Sequence, residues 1–331
     1  MADQIVTAIE YPNFSGLLFN KGNTKTPFST MIAGRALYTN HREFTTGQYF
    51  TTADGTQPAI SETDSLTAPD AVAYKRAQDK NVTQIFQKSI YVTYRKMSNM
   101  GSLSGINIAN QQPNPTDELA FQAAAAMNAI AQDVEYTFIN GVYQESTGTT
   151  VADKSKGIVN AITTNTIDAE SKELNYWMLV EAMEKVAEAN GDATNLVALL
   201  NGTQLMQVQK DARVNGCQII QQGSNINGIN ITQIVSPYGV LKLTLGKYIP
   251  AGTALVVNPA VCAPVFQPVP GKGNFFLEPL AKTGAGSKYQ IFGQAGLDYG
   301  PEWYHAKITG LSTTFTPPED GILTRTAAAA G

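Results

Sequence analysis

Chemistry near neutral pH draws first on histidine and cysteine, because imidazole titrates there and the thiolate is the reactive form of cysteine. The chain has only His41, His305, Cys217 and Cys262. The histidines lie in different regions and share no motif, and neither cysteine sits in a CxxC pair or a nucleophile signature. A disulfide framework or zinc site is not expected from that spacing. A Ser-His-Asp reading lacks the GxSxG turn that would anchor it. Gly284-Ala285-Gly286, flanked by Lys282 and Lys288, lacks the third glycine and following helix of a dinucleotide loop and reads as a surface turn. Asp298, Glu302 and His305 contain the Glu-x-x-His spacing that binds metal on a helix. Gly296, Gly300 and Pro301 interrupt any helix there, so His305 is expected beside Trp303 and Tyr304 at a strand interface. No catalytic, cofactor or metal residue is expected. The sequons Asn81-Val82-Thr83 and Asn201-Gly202-Thr203 carry no weight without a secretion route.

Composition narrows the class as well. Of 331 residues, 43% are hydrophobic and only 15% charged, so Ser, Thr, Asn, Gln and Gly must cover much of the surface. Such a surface suits permanent contacts. The net charge of −4 argues against a protein that grips nucleic acid. Lys21, Lys25, Arg35 and Arg42 outnumber Asp3 and Glu10 within residues 1–42, which reads as a solvated arm ahead of a DNA-facing surface. No run of 18 apolar residues or signal sequence is visible, so a cytosolic origin and no membrane partner are expected.

The elements begin with an extended third. Apolar islands (Phe14, Leu17, Leu18, Phe19; then Phe28, Met31, Ile32) alternate with turn formers over residues 13–37, a pattern suited to an arm that docks on a neighbour. Phe14, Leu17 and Phe28 are expected to make that docking, and residues 1–30 to be dispensable for folding. Strand-like runs at 43–52 and 82–96 predict a long two-stranded hairpin around the polar stretch 53–81, lying across another subunit or mobile at the surface. A long helix, Asn114 to Gly141, follows. Pro115 at its first turn, Asp117 and Glu118 near its positive end, and Gly141 at its stop mark its bounds. Leu119, Ala123, Met127, Ile130, Val134 and Phe138 form its apolar stripe, with Ala123 to Ala126 permitting close approach by a sheet. Helices over 174–190 and 202–213 then mix with strands at 196–200, 229–235, 240–245 and 253–257, and strands return at 289–297 and 303–311, before the Pro317-Pro318 break and an alanine tail. This order predicts an α+β fold.

The stretch Phe276-Leu277-Glu278-Pro279-Leu280-Ala281-Lys282-Thr283-Gly284, with Gly296-Leu297-Asp298-Tyr299-Gly300-Pro301-Glu302-Trp303-Tyr304-His305-Ala306-Lys307-Ile308-Thr309-Gly310-Leu311, resembles the C-terminal signature of SU10-like major capsid proteins of tailed phages. Gly16-Leu17-Leu18, Thr26-Pro27-Phe28, Asn140-Gly141 and Gly157-Ile158 resemble the same family in order. The resemblance implies an HK97-like capsid fold: an N-terminal arm at 1–40, an extended hairpin loop at 41–105, a peripheral domain at 106–165 with the spine helix at 114–141, an axial domain at 166–270, and a return to the peripheral domain and tail at 271–331. It implies hexamers and pentamers of one chain closing an icosahedral or prolate head around double-stranded DNA, in the virion after assembly in the host cytoplasm. Scaffold, portal and decoration proteins would be partners, and packaged DNA a non-specific one. Certain relatives crosslink through Lys and Asn, with no matching positions found in this chain. A tail-tube subunit is the alternative, and no cofactor is implied.

Overall fold

The computed structural model describes residues 25–52, 55–68, 70, 73–95, 118–215, 225–226, 229–230 and 232–317. Phe14, Leu17, Asn114 with its cap, Cys217 and the alanine tail lie outside the described residues.

The elements, in order, are α1 (Pro27–Ile32), β1 (Leu37–Tyr38), β2 (Glu43–Phe50), β3 (Arg76–Val82), β4 (Gln84–Thr93), α2 (Glu118–Asn140), α3 (Ile158–Ala161), β5 (Thr166–Asp168), α4 (Tyr176–Glu188), β6 (Val197–Leu200) and α5 (Gly202–Asn215). Then follow β7 (Asn225–Ile226), β8 (Ile229–Asn230), β9 (Thr232–Ser236), β10 (Gly239–Leu245), β11 (Ala254–Val257), β12 (Ala263–Phe266), β13 (Phe275–Pro279), β14 (Gly286–Asp298) and β15 (Ala306–Thr309). One sheet is built on β14, which pairs with β4 along one edge and with β13 and β12 along the other, β1 joining parallel to β12. The other runs β5-β15-β11-β6-β10-β9.

The long helix packs on the first sheet as its stripe predicts, with one exception. Ile130 and Phe138 are buried and Leu119, Ala123, Ala126 and Val134 pack against the same cluster as Phe86, Ile90 and Ile291. Met127, placed in the stripe by its spacing, is exposed. The helix ends at Asn140 because the next residue must touch backbone. Gly157 N–H donates to Gly141 O at 2.9 Å, and a Cβ on Gly157 would lie 2.6 Å from Gly141 N and 2.7 Å from the carbonyls of Thr137 and Ile139. This glycine-on-glycine crossing starts α3 directly beside the end of α2.

Two expectations about the first third are corrected. Phe28 and Ile32 were assigned to a neighbour, yet both are fully buried in this subunit's own core beside Ile130 and Phe138. Each such burial is worth about 1.5–3 kcal/mol. Thus α1 and β1 are part of the folded body, and deleting residues 1–30 would take Phe28 and most of α1 out of this core. The run 82–96 is likewise not the hairpin's second strand. The hairpin pairs β2 with β3, Glu43 opposite Val82, whereas β4 pairs with β14 from Gln84 opposite Ala295 to Thr93 opposite Gly286. The switch falls at Thr83, whose N–H donates to Arg42 O at 2.8 Å and whose hydroxyl donates to Gln267 Oε1 at 2.8 Å. Just before it, fully buried Asn81 donates to Leu297 O and Lys156 O and accepts from Val82 N and Lys156 N. A side chain that satisfied holds the chain where it changes sheets.

The second region matches its sequence pattern. Asn175 caps α4 by accepting from Met178 N at 2.9 Å. Asn201 and Gln204 cap α5 reciprocally, Gln204 N donating to Asn201 Oδ1 and Asn201 N to Gln204 Oε1. Leu179, Ala182, Met183 and Val186 of α4 cover one face of the second sheet, against Ala198, Leu200, Ala254 and Val256. Val197, Leu199, Leu255 and Val257 point from the other face into the cluster beneath α2. Strands β6 and β11 are therefore buried on both sides.

Candidate assembly surfaces

Of the described residues with chemical potential, His305 and Cys262 meet in the core and His41 stands apart. His41 is exposed in the turn before β2, its Nδ1 accepting from Glu43 N at 3.2 Å. His305 is fully buried. It does not pack as a side chain beside Trp303 and Tyr304 alone: Nδ1 accepts from Asn258 N at 3.1 Å and Nε2–H donates to Tyr299 O at 2.7 Å. That pattern requires the neutral ring, since a second proton on Nδ1 would face an N–H. Burial lowers the His305 pKa to about 4, a shift the Tyr299 hydrogen bond only partly offsets. Cys262 Sγ lies 3.9 Å from His305 Nε2, but burial pushes its thiol up, so no thiolate–imidazolium pair forms.

The metal spacing resolves into three separate tasks. Asp298 accepts from the Thr46 hydroxyl at 2.5 Å and from Gly300 N at 2.9 Å, tying the hairpin to the end of β14. Glu302 accepts from Thr164 Oγ1 and from Thr163 N and Thr164 N. Burial acts to raise its carboxyl, but the Thr164 and Thr163 hydrogen bonds outweigh this and hold it below the usual range. Among the described residues no group of three or more His, Cys, Asp or Glu could hold a metal ion. Gly284 to Gly286 forms the turn between β13 and β14, Tyr94 N donating to Ala285 O at 3.2 Å.

An expected outcome follows for pH. Unfolded, His305 takes up a proton near its ordinary pH 6.5, whereas the folded site resists until about pH 4. The folded state then binds fewer protons. Its contribution to stability is complete above pH 6.5 and is lost as pH falls from 6.5 towards 4, by up to about 3 kcal/mol. Histidine-selective NMR should find this imidazole neutral at pH 5; protonation there would overturn the assignment.

One buried carboxylate was not visible in the sequence. Glu135, on α2, is fully buried and accepts from Phe28 N at 2.9 Å, Ser29 N at 2.7 Å and Ser29 Oγ. Burial pushes its carboxyl up, and the Ser29 and Phe28 hydrogen bonds oppose this. It satisfies the first amides of α1 and so fastens that helix to α2. A Glu one position from Val134 could have been tested as a buried cap, but its type alone reads as solvated.

What the molecule does present is uncovered surface on a protruding element. The hairpin base is clamped by Thr46–Asp298, by Asn81 and by the edge-on stack of Tyr49 against Trp303 at 4.9 Å. Gly47, at φ 56, forms the bulge there, its Cα so close to Gly300 O that a Cβ would sit 2.8 Å away. Arg42, Lys80, Glu43, Glu145 and Asp153 form an ion network beside it. Lys80 is raised and Glu145 lowered, each chiefly by their mutual hydrogen bond. Beyond Gly47 the hairpin has little cover from the described residues: Phe50, Ile60, Leu66 and Tyr74 are all exposed. No helix among the described residues is long and apolar enough to cross a membrane.

A spine helix on a sheet built around one long strand, joined to a second α/β sheet and carrying a clamped, projecting hairpin, defines a subunit of the HK97-like capsid class. Solved structures agree in fold. The capsid asymmetric unit of cyanophage A-1(L) superposes with a TM-score of 0.61 at 11% identity, covering 90% of this chain and 96% of that one. The holo-SrpI encapsulin complex from Synechococcus elongatus PCC 7942 gives 0.57 at 12% identity, over 90% and 95%. A structure from Mycobacterium phage Patience gives 0.56 at 11%, over 91% and 86%. These likenesses show the fold alone. No curated protein sequence matches the chain. The family is shown by sequence: the model described as SU10 major capsid protein matches residues 2–312, and the chain belongs to that family. It is a phage major capsid protein, a structural subunit that associates with its own copies in the virion head. The tail-tube alternative is not favoured.

Proposed function

We propose that this subunit assembles into hexamers and pentamers that close an icosahedral or prolate head around the double-stranded DNA genome, without a catalytic step of its own. The region 166–270, completed by β15, serves as the axial domain at capsomer centres, and 106–165 with the rest of 271–331, joined by β12, as the peripheral domain. The β2–β3 hairpin, from Glu43 to Val82, reaches a neighbour, while β4 stays in the parent sheet; residues 1–40 are the arm, whose segment 27–38 is held in the parent body. Assembly takes place in the host cytoplasm. Scaffold, portal and decoration proteins are its further partners, and packaged DNA touches it non-specifically, in keeping with a chain of net charge −4.

The observation that carries this reading is the projecting hairpin, whose exposed Phe50, Ile60, Leu66 and Tyr74 have no cover from the described residues of their own chain. A two-stranded ribbon is marginal alone and gains stability on a partner surface. Contacts repeated around a closed shell then add, because each copy is held by several others. Expression of the chain followed by electron microscopy tests the reading. Closed shells or hexamers and pentamers support it; helical tubes would favour a tail-tube subunit, and a stable monomer with a ligand-dependent melting shift an enzyme.

A further inference from the structure

The chain's charge is divided unevenly. Residues 51–74 carry Asp54, Glu62, Asp64 and Asp70 with no Lys or Arg, so the whole net charge of −4 resides in the hairpin tip and the rest balances. The described part of the tip is also ordered within itself. Ser61 Oγ donates to Asp64 Oδ2 at 2.7 Å, Asp64 N donates back to Ser61 Oγ at 3.1 Å, and Ser65 Oγ donates to Glu62 O at 2.6 Å. The resulting turn, Asp64–Leu66, presents Leu66 at 84% exposure, with Ile60 at 70% close by in the chain. It is a small apolar knob with an acidic rim, arranged before any contact is made, which lowers the ordering cost of binding.

A matching surface lies at the far end of the first sheet. Lys288 stands opposite Tyr91 in the β14–β4 register, and Lys282 Nζ lies 5.8 Å from the centre of the Tyr94 ring. Tyr91 and Tyr94 are exposed, and neither lysine is in an ion pair among the described residues. Several other lysines are already engaged: Lys80 with Glu145, Lys88 with Asp133, Lys210 with Glu173 and Lys272 with Glu278. The corner thus offers two ammonium groups around two aromatic rings, the complement of an acidic rim around Leu66 and Ile60.

Knob and corner lie at opposite ends of one extended run. From Arg76, where the tip returns into β3, to Thr93 at the corner, β3 and β4 follow each other with only Thr83 between them, a contour of about 60 Å. The hairpin base is fixed to the opposite end of β14, at Asp298, so its tip points away from Gly286. A tip therefore reaches the corner of another copy. Such a contact joins unlike patches, and repeated contacts of this kind close rings.

We propose that the knob Ile60–Leu66 of one subunit docks on the Tyr91, Tyr94, Lys282, Lys288 corner of a second copy, carboxylates meeting ammonium groups around an apolar centre. The proposal rests on the shell reading above and specifies one of its contacts. Charge exchange tests it. Glu62→Lys with Asp70→Lys, and separately Lys282→Glu with Lys288→Glu, should each cut the yield of closed particles at least tenfold, with the subunit's circular dichroism and melting unchanged because all four side chains are exposed. All four substitutions together should restore the yield to within about twofold of the parent. Two results overturn the docking: a parent-like yield from either half, or a fourfold variant no better than its halves. A parent chain that forms neither shells nor capsomers would instead sink the shell reading itself.

Discussion

Phe28→Ala should lower the free energy of unfolding of the subunit by about 3–5 kcal/mol, read from chemical denaturation of the unassembled chain. Phe28 is fully buried, in the cluster that contains Ile130 and Phe138 of α2 and Ile291 of β14. Truncation leaves a cavity between a helix and a sheet whose backbones are fixed elsewhere, so little collapse can offset the lost contacts. The same change would be nearly silent in the subunit if Phe28 docked on a neighbour, because an exposed residue has no such contacts to lose. A loss under about 1 kcal/mol would return Phe28 to that role. Glu135 strengthens the expectation, since it accepts from the amide of Phe28 itself and fixes where the ring enters the core.

The second large effect concerns a single methyl group. Gly157→Ala should cost about 3 kcal/mol, the top of the usual range for overpacking, and should shift the end of α2. The new Cβ would meet only backbone atoms, Gly141 N at 2.6 Å and the Ile139 and Thr137 carbonyls at 2.7 Å, and backbone cannot rotate aside as a side chain does. Those carbonyls belong to the last turn of the spine helix, so relief must either unwind that turn or separate α3 from it. Thermal melting of the variant subunit measures the loss. An unchanged midpoint would show that the crossing is looser than its geometry indicates.

Local pattern carried much of this fold. Asn140-Gly141 marks the end of α2, the α4 stripe from Leu179 to Val186 is its core face, and β10, β11 and β14 sit where β-branched and apolar runs place them. What failed was the identity of partners. An apolar island such as Phe28 with Ile32 has the same sequence whether the covering surface belongs to its own chain or another. Likewise Val82 to Thr93 reads as one strand, because the exchange of β2 for β14 at Thr83 depends on Asn81 reaching Leu297, far away in sequence. Met127 was misplaced because helical spacing gives a stripe without its edges. The C-terminal signature identified the family, yet the structure gives its polar members work: Asp298 anchors the hairpin, Glu302 closes the 163–164 turn, and His305 spans Asn258 and Tyr299.

Strands β6 and β11 bear directly on how such a subunit carries force. Their alternate residues enter two different hydrophobic clusters, Val197, Leu199, Leu255 and Val257 on one side and Ala198, Leu200, Ala254 and Val256 on the other. A wall shared in this way leaves no weak plane between the spine-helix half and the half built on α4 and α5, because sliding one past the other would strip both cores at once. Strain imposed on the body is therefore shared by both cores through these two strands.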